Sequence, residues 1–106
     1  MYDEEEDDDT MPNPEELQRM IRLRARREFI QGCYEAYDLL ATRGEEALDG
    51  AEIPAVQRAI NRMTAFFITK EEYERCEFLK KYTEKHMPGF TITPDWEVQT
   101  ELKATE

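Results

Sequence analysis

Thr69-Lys70-Glu71-Glu72-Tyr73-Glu74-Arg75-Cys76-Glu77-Phe78-Leu79-Lys80-Lys81-Tyr82 is the stretch whose reading decides the fold. Thr69 and Glu72 have the spacing of a capping box, in which a hydroxyl and a carboxylate satisfy each other's backbone N–H at a helix start. Ile68 and Tyr73 flank them at the spacing of a hydrophobic staple. Tyr73, Cys76, Leu79 or Lys80, and Tyr82 or Thr83 then recur at the helical step of three to four. The stretch predicts a helix and marks its start.

Just upstream, Ala55, Val56, Ala59, Ile60, Met63, Phe66 and Phe67 fall on the same period and predict a helix opened by Ile53-Pro54. Almost no loop separates it from the helix after Thr69, so the pair reads as a helical hairpin. Further upstream, Asn13 is a good N-cap, Pro14 suits the first helical position, and Glu15 and Glu16 suit the positive end of the helix dipole. That helix is predicted to run from Pro14 to about Thr42, with Gly44 beyond its end. Its apolar face reads Leu17, Met20 or Ile21, Ile30, Cys33 or Tyr34, Tyr37, and Leu40 or Ala41. Residues 43 to 52 form a connector with room for one helical turn.

Downstream, Pro88-Gly89 ends the third helix. Phe90-Thr91-Ile92-Thr93 is β-prone and Pro94-Asp95 breaks it. The expectation is an extended arm laying Phe90, Ile92 and Trp96 across the helices, followed by a polar end. The fold class is therefore all-α: a small three-helix domain at 14–88 with a C-terminal helical hairpin. A disordered acidic tail at 1–13 precedes it and an extended C-terminal arm at 89–106 follows it.

One domain is all that 106 residues hold. The net charge of −11 is unevenly placed. Nine of the 25 acidic residues lie in Asp3–Asp9, Glu15 and Glu16, and the remaining 16 nearly balance the 14 Lys and Arg. The acidic run lacks the glycine and alternating spacing of a calcium loop, so it reads as a solvated tail. No apolar run approaches the ~20 residues of a membrane span, and an acidic N-terminus is the opposite of a signal peptide's. Cys33 and Cys76 lack metal-motif spacing and sit at apolar helix positions, which fits a reducing, cytoplasmic setting.

Residues that could carry chemistry are few. There is no serine. His86 stands at a helix end, where an imidazole meets the negative end of the dipole. Cys76 has Arg75 beside it, but also Glu74 and Glu77, and both cysteines read as core. No catalytic, cofactor-binding or metal-binding set emerges, and an enzyme is not expected.

Two surfaces stand out instead. Arg19, Arg22, Arg24, Arg26 and Arg27 lie within nine residues, and Arg19, Arg22 and Arg26 share one helix side. The aromatic residues Phe66, Phe67, Tyr73, Phe78, Tyr82 and Trp96 form the candidate partner-binding surface. Two arrangements stay open: an exposed aromatic patch, which would favour a homodimer, or the same face covered by the C-terminal arm.

Tyr73-Glu74-Arg75-Cys76-Glu77-Phe78-Leu79-Lys80-Lys81 resembles the second helix of the UVR motif, the helical hairpin of bacterial excision-repair proteins and Clp-protease adaptors. That helix reads Phe/Tyr-Glu-x-Ala-Ala-x-Leu-Arg-Asp. The match lies in the aromatic Tyr73, Glu74, a small residue at Cys76, Leu79 and a basic Lys80. Glu77 and Lys81 depart from it. The resemblance covers residues 55–85 and implies a hairpin that docks on another protein.

The functional expectation is a non-enzymatic interaction module: a small acidic adaptor, regulator or accessory subunit that docks on a larger protein. Such a chain also suits a phage-encoded host-modulating protein. Two rivals use the charges. In one, the carboxylates mimic nucleic acid in a basic groove. In the other, Arg19, Arg22 and Arg26 read phosphates, against which the net charge argues.

Overall fold

A computed structural model describes residues 13–103. The expected acidic tail, Asp3–Asp9 included, lies outside the described residues. The order of elements is α1 (Pro14–Arg43), a 3-10 helix (Gly44–Leu48), α2 (Ile53–Thr69), α3 (Tyr73–His86) and α4 (Glu97–Lys103). No strand occurs among the described residues. The chain is all-α.

Local chemistry accounts for the ends of α1. Asn13 holds an extended backbone and its Oδ1 accepts the Glu16 N–H at 2.7 Å, while Pro14 takes the first turn, where no amide proton is missed. At the other end Gly44 adopts φ 56° and donates its N–H to the Leu40 carbonyl.

The corner between α2 and α3 differs from the capping box that the sequence suggests. Thr69 is the last residue of α2, and its hydroxyl donates to the Ala65 carbonyl at 2.9 Å. Glu71 N–H reaches Ile68 O and Glu72 N–H reaches Phe67 O, at 2.9 and 2.8 Å. Together these bonds make a Schellman closure, which requires a left-handed residue next to the cap. Glu71 supplies it at φ 61°, where glycine is usual. Glu72 then precedes α3 without a side-chain cap bond, because Tyr34 and Arg75 engage its carboxylate. Tyr73, half of the expected staple, is 60% exposed.

α2 is the central element, in contact with α1, α3 and α4. Ile60, Met63, Phe66 and Phe67 fill the core from its predicted face, and Ala65 is buried as well. Leu79 and Tyr82 come from α3, and Cys33 and Leu40 from α1. The aromatic rings lock by edge-on packing: Phe29 and Tyr34 meet Phe66 with centroids 5.8 and 5.7 Å apart, and Tyr37 meets both Phe67 and Phe78. Tyr82 satisfies its hydroxyl on the Gly44 carbonyl at 2.7 Å.

The C-terminal arm is extended only as far as Asp95. Thr93 N–H donates to the Asn61 side chain and Asp95 N–H to the Asn61 carbonyl, at 2.9 and 3.1 Å. Asp95 Oδ1 then accepts the Glu97 N–H at 3.1 Å, and α4 follows. Val98 and Leu102, one turn apart, are buried. The polar end expected after Trp96 is thus a short amphipathic helix docked on α2. Trp96 itself is 47% exposed, while Phe90 and Ile92 pack against the core edge.

Candidate functional site

The body covers only part of α1. From Asn13 to Glu28 every residue but Arg26 is exposed, whereas Phe29, Ile30, Cys33, Tyr34, Tyr37 and Leu40 pack into the core. At about 1.5 Å per residue the exposed part is an arm of roughly 20 Å. The molecule measures 65 × 28 × 20 Å, and its radius of gyration is 18.7 Å. A compact chain of this length would have about 13 Å.

Two faces of the arm differ in chemistry. Leu17, Met20 and Ile21 form an outer apolar stripe, 47, 53 and 59% exposed. Opposite runs a stripe linked by steps of three and four: Arg19, Arg22, Arg26, Phe29, Cys33, Tyr37, Leu40. Its apolar half is the face that α1 gives to the core. Where the helix leaves the body, the same face turns to arginine, since a guanidinium there stays in water.

Charges on the arm are mostly unspent. Arg24 pairs with Glu28 at 3.2 Å, an exposed pair worth little. Among the described residues Arg19, Arg22 and Arg27 have no ion-pair partner, and Arg26 is half-buried with its Nε enclosed and without a hydrogen bond. Arg26, Arg27, Leu23, Ile30 and Gln31 line a shallow hollow of about 390 Å³ at the foot of the arm.

The expected aromatic surface is largely core. Phe66 and Phe67 are fully buried and Tyr82 is 5% exposed, so these three fill the interior and cannot meet a partner. Phe78 is half-buried between Tyr37 and Tyr82. Tyr73 and Trp96 are exposed. The physical reason is α2: its neighbours cover it on several sides, so the apolar face is wider than one stripe.

A second hollow, about 540 Å³, lies between the α2–α3 hairpin and the extended segment, lined by Ile68, Tyr73, Cys76, Phe90, Ile92 and Pro94. The Cys76 thiol points at the Thr64 carbonyl, 3.8 Å away. Burial, helped by the Glu72 carboxylate, pushes this thiol above its ordinary value, opposite to what a nucleophile needs. Among the described residues no group of three His, Cys, Asp or Glu side chains is placed to hold a metal ion. Among the described residues no helix is long and apolar enough to cross a membrane.

Arg75 is a key residue that the sequence does not single out. Its guanidinium lies over the rings of Tyr34, Tyr37 and Phe67, at 5.0, 4.6 and 5.7 Å from their centres, and its Nε donates to Glu72 at 2.7 Å. The Tyr34 hydroxyl donates to the other Glu72 oxygen at 2.5 Å. This cluster ties α3 to α1 at the corner of the hairpin. Only tertiary contacts assemble it, since Tyr34 and Glu72 are 38 residues apart. No family model, curated protein or solved structure matches the chain.

Proposed function

We propose that the chain is a non-enzymatic protein–protein interaction module, in which the packed body is a mount and the α1 arm is the docking element. The observation behind this reading is the outer stripe of Leu17, Met20 and Ile21, three large apolar side chains on a projecting helix. Isolated exposed residues of this kind are ordinary, but a stripe at helical spacing on an uncovered helix suits a groove on a larger protein. The likeness of Tyr73, Glu74, Cys76, Leu79 and Lys80 to the UVR hairpin supports the same class of activity. The small size and concentrated acid suit an adaptor, a regulator or an accessory subunit, phage-encoded ones included, acting in the cytoplasm.

A photo-crosslinking residue at position 21 of the full chain, in extract of the cells that make it, tests this. One adduct is expected from position 21 and none from a control at Arg58 on α2. Leu17→Glu and Met20→Glu, each added to the chain that carries the crosslinker, should abolish it without lowering the melting temperature. An adduct that survives both substitutions rules out the arm. The free charges of Arg19, Arg22 and Arg27 favour one second reading, contact with nucleic-acid phosphates. That reading requires affinity falling steeply with salt, and an absence of binding at low salt removes it.

A further inference from the structure

We infer that the arginine stripe of the arm is a carboxylate-binding surface, and that the chain's own acidic run, Asp3–Asp9, occupies it. This goes beyond the docking reading, because it concerns the opposite face of the arm and needs no second protein. Three observations converge. First, Arg19, Arg22 and Arg26 line up on one face, and among the described residues no carboxylate neutralises them. Glu15 heads the same face without pairing to Arg19, and Arg26 keeps an enclosed Nε without an acceptor. A donor shut away from water without a partner is costly, and an arriving carboxylate would relieve the guanidinium.

Second, the chain outside the described residues is placed to reach. Residues 1–12 join the arm at Asn13, its tip. Asp9 is four residues from Asn13, about 13 Å of extended chain, and Asp3 is ten, about 35 Å. Along the helix Arg19 lies about 9 Å from Asn13 and Arg26 about 20 Å. That reach covers the whole stripe. Third, the signs match: the run supplies seven consecutive carboxylates and the stripe three arginines. The tether also raises the local concentration of the run to the millimolar range, so weak contacts suffice.

Occupation has a consequence for partners. An acidic protein surface or a phosphate would meet the stripe only by displacing the run, whereas the apolar stripe of Leu17, Met20 and Ile21 stays open. The two faces of the arm are therefore independently controlled, one by charge and one by shape.

The test compares the full chain with a full-length variant in which every Asp of residues 3–9 is Asn and every Glu is Gln. The probe is a fluorescent deca-aspartate peptide, followed by anisotropy at low salt. The neutralised chain is expected to bind it at least about tenfold tighter than the natural chain. Adding Arg19→Gln, Arg22→Gln and Arg26→Gln should remove that gain. In parallel, the side-chain Nε–H resonances of Arg19, Arg22 and Arg26 should differ in chemical shift between the natural and the neutralised chain at neutral pH and low salt. Equal affinity in the two chains, or arginine resonances that ignore the neutralisation, would falsify the inference. Neither readout uses the apolar stripe, so failure here leaves the crosslinking result at position 21 standing, and the reverse also holds.

Discussion

Arg75 shows how much one side chain holds. A flat cation over three rings, anchored by a carboxylate that also accepts from Tyr34, joins two helices that no backbone bond connects. Each cation–ring contact of this half-exposed kind contributes about 0.5–1 kcal/mol. Arg75→Met is expected to lower stability by about 1–2 kcal/mol in urea denaturation. Arg75→Lys should recover only part, since an ammonium keeps the charge and loses the flat stack. At Glu71 the sign reverses. A non-glycine residue in the left-handed region carries a penalty, so Glu71→Gly should stabilise the chain by about 1 kcal/mol. A melting temperature that falls on this substitution would show that the Glu71 side chain has a partner.

Titration belongs to the same scale. The hydrogen bond to Glu72, then burial, holds the Tyr34 hydroxyl above its ordinary value of 10.0, and burial does the same for Tyr82. Cys76 is raised above 9.0 by burial first. Each group keeps its proton more tightly folded than unfolded, so unfolding in base releases protons. The stability they contribute is complete below about pH 9 and is lost as the pH climbs through the raised values. Denaturation midpoints should therefore fall from about pH 9 upward, and Tyr34→Phe should flatten part of that slope.

At the scale of elements, α1 is one helix with two environments. Its second half is held by Phe29, Cys33, Tyr34, Tyr37 and Leu40, and its first half by its cap and intrinsic propensity alone. Ile21→Gln is expected to change stability by less than about 0.5 kcal/mol, because Ile21 is 59% exposed. Leu102→Ala should cost about 2 kcal/mol or more, although α4 has only 7 residues. Equal effects in the two variants would mean that the arm packs on the body.

For the whole molecule, extension is the defining property. The 18.7 Å radius of gyration reflects a helix of 30 residues whose first half projects from the body. Small-angle scattering of the monomer should give a radius near this value. A value near 13 Å would mean that the arm folds back. The elongated shape leaves the apolar stripe and the arginine stripe of the arm uncovered by the body.

The helices themselves were legible in the sequence because their signals are local. Asn13-Pro14 opens α1, Gly44 closes it, Ile60, Met63, Phe66 and Phe67 mark the inner face of α2, and Pro88-Gly89 follows the end of α3. The arginine stripe was legible too, since helical spacing alone defines it. The rest depended on what each face meets. Thr69 and Glu72 fit a capping box by spacing, yet a Schellman corner took precedence because Glu72 is needed by Tyr34 and Arg75. Phe66, Phe67 and Tyr82 read equally well as surface or core, and only the docking of α1 and α4 buries them. Val98 and Leu102 were too short a signal to declare a helix until α2 offered a surface to cover. Sequence determined where the chain turns and which residues share a side, because caps and periodicity act within a few residues. Tertiary structure decided which sides are spent on the core and which, on the arm, are left for something else, because burial depends on neighbours far along the chain.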